Sequence, residues 1–323
     1  MHKIIVFLLG LILISCNSNS NDQLLLSSSS GNINDLNVVI DNQLWEGEIG
    51  DLVRQEIAAP VYGLPQEEPL FSIRQMPPQV FTGFARNNRT ILIIEKGEED
   101  IVSYKKNVFA KPQTVIFVRG TSNASINELI KKDAQRIIAT FKKTELKEKQ
   151  RRIRVSLNRD NNINKVLNLR MKFPSAYRVA KEEGNFFWLR RDIKTGTLNV
   201  MLYDLPLDAL SENDTLINTI IRKRDSIGKT HIPGPIDGSF MITERAYTPF
   251  MGKTSIDDKT TYETKSTWEV KNAFMAGPFL NYAIKDEVNN RWIIAEGFTY
   301  APSVEKRDYM FELESILKSI EIQ

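Results

Sequence analysis

The hydrophobic pattern changes its period near residue 162, and that change constrains the fold more than any other feature of the chain. Upstream, Thr90 to Ile94 and Thr114 to Val118 are unbroken apolar, β-branched runs, which suit strands covered on both faces. Downstream, Leu167, Leu169, Met171 and Phe173 alternate with Asn168, Arg170 and Lys172, the pattern of a strand with one buried face. The expected fold class is α+β in two domains. An N-terminal mixed α/β layer domain is assigned to residues 33–160, and a C-terminal antiparallel sheet flanked by helices to residues 163–323. The polar stretch Asn158 to Lys165, with four asparagines, marks the join. A length of 323 residues agrees with two domains at about 150 each.

Within the first half, Leu36 to Ile40 reads as a strand, and Asp41 or Asn42 caps a helix with Trp45, Ile49, Leu52, Val53 and Ile57 on one face. Prolines then make residues 60–78 an extended loop around a strand at Leu70 to Arg74. Ser125 and Glu128 match a capping box, and Ile126, Ile130, Ala134, Ile137 and Phe141 follow at helical spacing. From Glu128 to Arg154 this helix carries ten Lys/Arg against four Asp/Glu, which reads as a solvated basic face; nucleic acid is not an expected partner.

The second half predicts strands at Phe186 to Arg191 and Leu198 to Tyr203, joined by Lys194-Thr195-Gly196. Ser211 and Asp214 frame a capping box before Leu216, Ile217, Ile220 and Ile221. Further strands are expected at Ser239 to Thr243, Thr261 to Val270, Phe279 to Lys285 and Trp292 to Tyr300. A terminal helix starting at Pro302 and Ser303 buries Tyr309, Leu313, Ile316 and Ile320.

At the start of the chain, His2 and Lys3 precede an apolar run, Ile4 to Ile14, broken only by Gly10. Eleven helical residues span about 16 Å, roughly half of a bilayer's hydrocarbon core, so residues 1–15 read as a signal peptide rather than a membrane span. Leu13-Ile14-Ser15-Cys16 resembles the lipobox of bacterial lipoproteins. That resemblance implies cleavage after Ser15 and a lipid anchor at Cys16, where a thiolate forms the thioether. Two or three acyl chains give stable anchoring. Residues 16–32 then comprise the lipidated cysteine and an Asn/Ser-rich tether. Leu24, Leu25 and Leu26 interrupt its polarity, either to dip into the membrane interface or to dock on the domain.

Two resemblances extend over longer stretches. The second half is similar to the PsbP-like fold in its order of strands, helix, strands and terminal helix, and in the closing segment Leu313 to Ile320. The whole chain resembles a family of uncharacterised Bacteroidota lipoproteins, a domain of unknown function. Asp41-Asn42-Gln43-Leu44-Trp45-Glu46-Gly47, Gly63 to Phe71, Arg224-Asp225-Ser226, Pro233 to Ser239 and Gly297 to Pro302 carry this resemblance. It implies an envelope lipoprotein and supplies no catalytic residues. Surface-exported lipoproteins of Bacteroidota resemble one another in acidic residues just after the cysteine, whereas none occurs here between Cys16 and Asp22. The expected location is the outer membrane, facing the periplasm.

Chemistry-bearing groups are few. Cys16 is the only cysteine and His2 and His231 the only histidines, so a disulfide framework and Cys/His metal sites are excluded. Arg224, Asp225, His231 and Asp237 form the one local acid/base grouping, but no Gly-x-Ser-x-Gly elbow accompanies it, and His231 to Pro235 reads as a rigid connection. Trp188, Trp268, Trp292, Tyr203, Tyr262, Tyr282 and Tyr300 either line a ligand cleft or fill the core. Gly63 to Pro69 reads as an exposed acidic connector. No catalytic, cofactor or metal residue is assigned, and no cofactor is expected. The expected function is non-enzymatic binding of an envelope protein or small ligand by a membrane-anchored lipoprotein. The alternative is an envelope hydrolase using carboxylates without metal or histidine, for which two carboxylates about 5 to 9 Å apart would be the sign.

Overall fold

A computed structural model describes residues 26–213 and 215–323. Cys16, Leu24, Leu25 and Asp214, on which several sequence expectations rest, lie outside the described residues.

The first half is a five-stranded sheet of β1 (Asp35–Val39), β2 (Ser72–Met76), β3 (Thr90–Lys96), β4 (Ile101–Lys106) and β5 (Thr114–Gly120), in the order β2-β1-β3-β5-β4. All neighbours run parallel except the edge strand β4, which is antiparallel to β5. The unbroken apolar runs of β3 and β5 sit at its centre. One face packs Leu36, Val38, Leu92, Ile94, Ile116 and Val118 against the helices; the other packs Val39, Ile91, Ile93 and Val115 against Phe81. Each fully buried aliphatic side chain of these strands contributes about 1.5 to 3 kcal/mol of hydrophobic stabilisation.

Between β1 and β2 the expected single helix is broken into a turn at Asn42–Trp45, α1 (Glu48–Leu52) and a wide π-type turn at Val53–Ile57. Ile49, Leu52, Val53 and Ile57 are buried as expected, whereas Trp45 is only half-buried. The long helix α2 (Asn123–Ile153) starts earlier than the sequence suggests: Ser122 is its N-cap, and Ser125 closes the capping box from the third position. A Ser–Ser box uses the same hydroxyl-to-backbone bonds as Ser–Glu, so the spacing alone placed it three residues late. Ile126, Ile130, Ala134, Ile137 and Phe141 all face the sheet.

The second half is an eight-stranded antiparallel sheet. It comprises β6 (Arg178–Glu183), β7 (Phe186–Ile193), β8 (Gly196–Pro206), β9 (Met241–Thr243), β10 (Phe250–Ile256), β11 (Lys259–Val270), β12 (Ala276–Asp286) and β13 (Arg291–Tyr300). The order is β9-β11-β12-β13-β8-β7-β6, with β10 paired to the remaining length of β11. Two helices cover it on opposite faces. The helix α3 (Leu216–His231) packs Leu216 and Ile220 over Met201, Tyr203, Phe279 and Ile294, and α4 (Arg307–Leu317) packs Leu313, Ile316 and Leu317 over Leu280, Tyr282 and Ile293. The fold is therefore α+β, with a curled antiparallel sheet in the second half.

Three expectations are corrected here. The alternating run at residues 167–173 is not one strand: Asn162–Leu167 is helical, Asn168 turns the chain in a left-handed conformation, and only Leu169–Arg170 pair, with Glu321–Ile322. Leu167, Leu169 and Phe173 are still buried, so burial alone produced the alternation. The terminal helix begins at Arg307, not at Pro302. Strands β4, β6 and β10 carry no strand signal in the sequence because each is a largely exposed edge or near-edge strand with a weak apolar pattern. The β10–β11 hairpin turns through Asp257 and Asp258, both at positive φ, the geometry of a tight two-residue turn.

The two halves are joined by more than chain connectivity. Ile153, at the end of α2, belongs to the core of the second half. Lys149 pairs with Glu312 at 2.7 Å and the Gln150 amide donates to the Ser315 carbonyl, tying α2 to α4. Glu68 corrects the reading of Gly63 to Pro69 as an exposed connector. Its buried carboxylate accepts the backbone N–H groups of Lys306 and Arg307 and so caps α4 from across the molecule.

Candidate ligand cavity between the two halves

A cavity of about 400 Å³ lies where the 61–70 loop, α2, α4 and strands β11 and β12 meet. Its construction follows from the helical repeat. Ala139, Lys142, Lys143 and Leu146 share one face of α2, turned away from the core stripe, and Arg307, Met310, Phe311, Glu314 and Lys318 line the facing side, from α4 into the residue just past its end. Leu64 and Leu70 come from the loop, and Phe279 and Leu280 from β12. Gly63 lets the loop press against β11: its φ is +82°, and a Cβ there would stand 2.9 Å from the Lys265 Cβ.

The lining is mostly apolar, and cations share it. Arg307, Lys142, Lys143, Lys265 and Lys318 line the wall, and Glu314 is the one carboxylate among the described lining residues. Most of these cations are already engaged. Lys318 pairs with Glu314 at 2.6 Å, Lys265 with Glu263 at 2.8 Å, and Arg307 with Asp308 at 2.9 Å. Lys142 differs: its Nζ donates to two neutral oxygens, Asn34 Oδ1 and the Leu70 carbonyl, each at 2.9 Å. It also stands over the rings of Phe71 and Phe311. Burial pushes the Lys142 ammonium down to about 8, although Glu314, Glu145 and Asp308 pull the other way. Burial also opposes ionisation of Glu314, yet Lys318, Lys265 and Lys142 outweigh it and hold that carboxyl below its usual range.

The basic face of α2 was read from sequence as solvated, and for Lys142 and Lys149 this is a correction: one enters the cavity wall and the other an ion pair between the halves. The one available signal was spacing, since residues 139, 142, 143 and 146 repeat as a second face opposite the core stripe.

Of the acid/base grouping, Arg224 and Asp225 meet, at 3.5 Å and through the shared Thr243 hydroxyl, while His231 packs on Phe186 and Asp237 is exposed. Arg224 is fully buried and pairs with Glu296 at 2.9 Å, a partner that sequence reasoning missed; Glu296 also accepts from Asn281. Asp225 accepts from the backbone and hydroxyl of Thr243, each at 2.7 Å. His231 stacks on Phe186 with ring centroids 4.1 Å apart and faces Glu183 at 3.3 Å. Burial and Lys181 hold its pKa below the ordinary histidine value against the pull of Glu183. Asp237 is exposed in the loop beyond.

The seven aromatic residues divide. Trp188, Trp268 and Tyr300 meet with Phe298 around a smaller cavity of about 250 Å³ that Arg190 and Asn199 also line. Both indole N–H groups are used internally there, by Asn199 Oδ1 and the Thr299 carbonyl. Trp292 and Tyr203 are core residues on the α3 side, Tyr282 is buried on the α4 side, and the Tyr262 hydroxyl donates to Glu212. Among the described residues no three His, Cys, Asp or Glu side chains cluster to hold a metal, and no helix is long and apolar enough to cross a membrane.

A family model described as "Domain of unknown function (DUF4837)" matches residues 156–319, and one described as "Domain of unknown function (DUF8532)" matches residues 29–154. Among curated proteins none matches the chain. Three solved structures show partial similarity. LpqN of Mycobacterium tuberculosis, described as involved in cell envelope biogenesis, is 10% identical, with 47% of this chain and 82% of that one covered and a TM-score of 0.28. A STAR-related lipid transfer protein from Xanthomonas axonopodis is 8% identical, covering 45% and 96%, with a TM-score of 0.24. Human StAR-related lipid transfer protein 5 is 10% identical, covering 56% and 97%, with a TM-score of 0.26.

Proposed function

We propose that this chain, which belongs to the DUF4837 family, is a non-enzymatic envelope lipoprotein that holds a small ligand in the cavity between its halves. The observation that carries this reading is the cavity itself. Its volume of about 400 Å³ falls in the range of small-molecule sites, and its lining is mostly apolar with a few convergent polar groups. Hydrolysis by paired carboxylates needs two facing carboxyl groups. The wall offers Glu314, already bound to Lys318.

The lipobox at Leu13 to Cys16 supports anchoring through lipid on Cys16. The tether expected over residues 16–32 is shorter than that, because Ser27 and Ser28 pair with Ala110 and Lys111, Ser30 bridges Asn88, and Arg89 donates to the Gly31 and Asn32 carbonyls. Absence of acidic residues between Cys16 and Asp22 supports the periplasmic leaflet of the outer membrane in a Bacteroidota host. The strand, helix, strand and terminal-helix order of residues 163–323 supports the PsbP-like comparison.

Two experiments test these points. Organic extracts of the protein purified from its native membranes should contain a small molecule at about one per chain, and Leu146→Trp, which fills the cavity, should remove it. Identical extracts from both proteins reject the cavity as the binding site. Metabolic labelling with an alkynyl fatty acid should mark the wild type and not Cys16→Ala, and protease added to intact cells should spare the protein. Label on Cys16→Ala, or digestion in intact cells, refutes the corresponding assignment.

A further inference from the structure

Building on the binding reading above, we infer that the cavity selects a single-chain amphiphile with one anionic head group, its chain on the apolar side chains and its head at Lys142. Three observations carry the inference. First, the lining is mixed in the way an amphiphile needs: Leu64, Leu146, Leu280 and Met310 supply hydrocarbon surface, and five cationic side chains share the wall with them. Second, the charge is one-sided: of the five cationic side chains in the wall, Lys318, Lys265 and Arg307 are paired with Glu314, Glu263 and Asp308, which leaves Lys142 and Lys143 without a salt bridge among the described residues. A cationic or neutral ligand gains little from such a wall, whereas an anion completes it. Third, Lys142 is the half-buried cation whose hydrogen bonds all go to neutral oxygens, although the other cations pointing inward from α4 and β11 are matched by Asp308, Glu314 and Glu263. An ammonium has three donors, and two are used. The third has no carboxylate partner among the described residues, and burial pushes its pKa down. A ligand oxygen carrying negative charge accepts from the third donor, a stronger partner than the Phe71 and Phe311 rings, and adds to the partial relief that Glu314, Glu145 and Asp308 give a cation held out of water.

Size sets the rest. A cavity of about 400 Å³ suits a ligand of drug size, with room for one alkyl chain and its head group. A carboxylate and a phosphate monoester satisfy the same lysine chemistry, so fatty acids and single-chain phosphates are the two sources to be distinguished.

The test uses the full lipidated chain in nanodiscs of zwitterionic lipid, with four probes that share a dodecyl chain carrying a terminal diazirine. Their heads are a carboxylate, a phosphate monoester, an alcohol and a trimethylammonium, and cross-linked peptides are mapped by mass spectrometry. Carboxylate or phosphate probes are expected to label the 139–146 and 307–318 peptides about tenfold or more above the alcohol, with the ammonium weakest. The stronger of the two anions identifies the source. Lys142→Met should reduce anion labelling to the alcohol's level and leave alcohol labelling unchanged, while Lys142→Arg retains most of it. Equal labelling by anion and alcohol, or full anion labelling of Lys142→Met, overturns the inference and leaves the cavity as a binding site. Absence of cavity labelling by every probe overturns the binding reading as well. Should Lys142→Met fail to fold by circular dichroism, the four-probe comparison on the wild type decides by itself.

Discussion

The carboxylate of Glu68 accepts the backbone N–H of Arg307 at 2.7 Å, so a loop of the first half caps the last helix of the second. This bond, with its partner to Lys306, holds the 61–70 loop and α4 together at one wall of the cavity. Glu68→Ala leaves two helix-terminal N–H groups buried without an acceptor, and a loss of about 1 to 3 kcal/mol in urea unfolding is expected. A change below about 0.5 kcal/mol means that water or a neighbouring group replaces the cap.

Arg224 and Glu296 form the most deeply buried ion pair of the second half, with Phe279 against the guanidinium at 4.0 Å. Removing one partner strands the other charge, so Arg224→Met is expected to cost about 3 to 5 kcal/mol. Pairing it with Glu296→Gln should recover part of that loss, because the stranded carboxylate is gone. A strictly additive double-mutant cycle contradicts direct coupling.

Stability should depend on alkaline pH through Lys142. In the unfolded chain its amine titrates near 10.4, and in the folded chain near 8. Between those values the unfolded state holds more protons, so stability rises with pH across the window, and the burial penalty is fully present below it. Glu314, Asp308 and Arg307 from α4 and Glu145 from α2 face the same group. Subtracting the unfolding curves of Lys142→Met from those of the wild type should isolate a rise between about pH 8 and 10.4. A flat difference rejects the low pKa.

His231 is expected to act as a packing residue. Its stack on Phe186 predicts a loss of about 0.5 to 1.5 kcal/mol in His231→Gln, with the cellular role intact. Because its pKa is held below the ordinary value, the unfolded chain binds the proton first as pH falls through about 6.5. The wild type should lose stability there that the variant keeps. A well-folded variant that behaves like a deletion strain would return attention to the end of α3.

Residues 163–323 produced alone are expected to melt cooperatively, at a lower temperature than the full chain. The fragment lacks Ile153 from its core, Lys149 beside Glu312 and the Glu68 cap on α4. Calorimetry of both proteins checks this, and an unfolded fragment refutes independence of the half.

Local chemistry made much of the fold legible in advance. Central strands such as Thr90–Lys96 and Thr114–Gly120 announce themselves because both faces are apolar, and the core stripe of α2 because burial repeats with the helix. Those signals involve only near neighbours in the chain. Exposed strands such as Phe250–Ile256 carry little apolar pattern, so pairing with β11, not composition, makes them strands. Seven aromatic residues were legible as binding or core residues, but their division depended on which sheet face each strand presents.

The sequence by itself determined the class of fold, the central strands, the stripe of α2 and the poverty of acid/base and metal-binding side chains. Tertiary structure alone decided that Lys142 faces a cavity instead of water, that Glu68 caps a helix more than two hundred residues away, and that Arg224 finds Glu296. The physical reason is range. Periodicity and capping act within a turn or a strand, whereas the worth of a buried charge is set by whichever distant groups the packing brings within a few ångströms, and no local pattern encodes that distance.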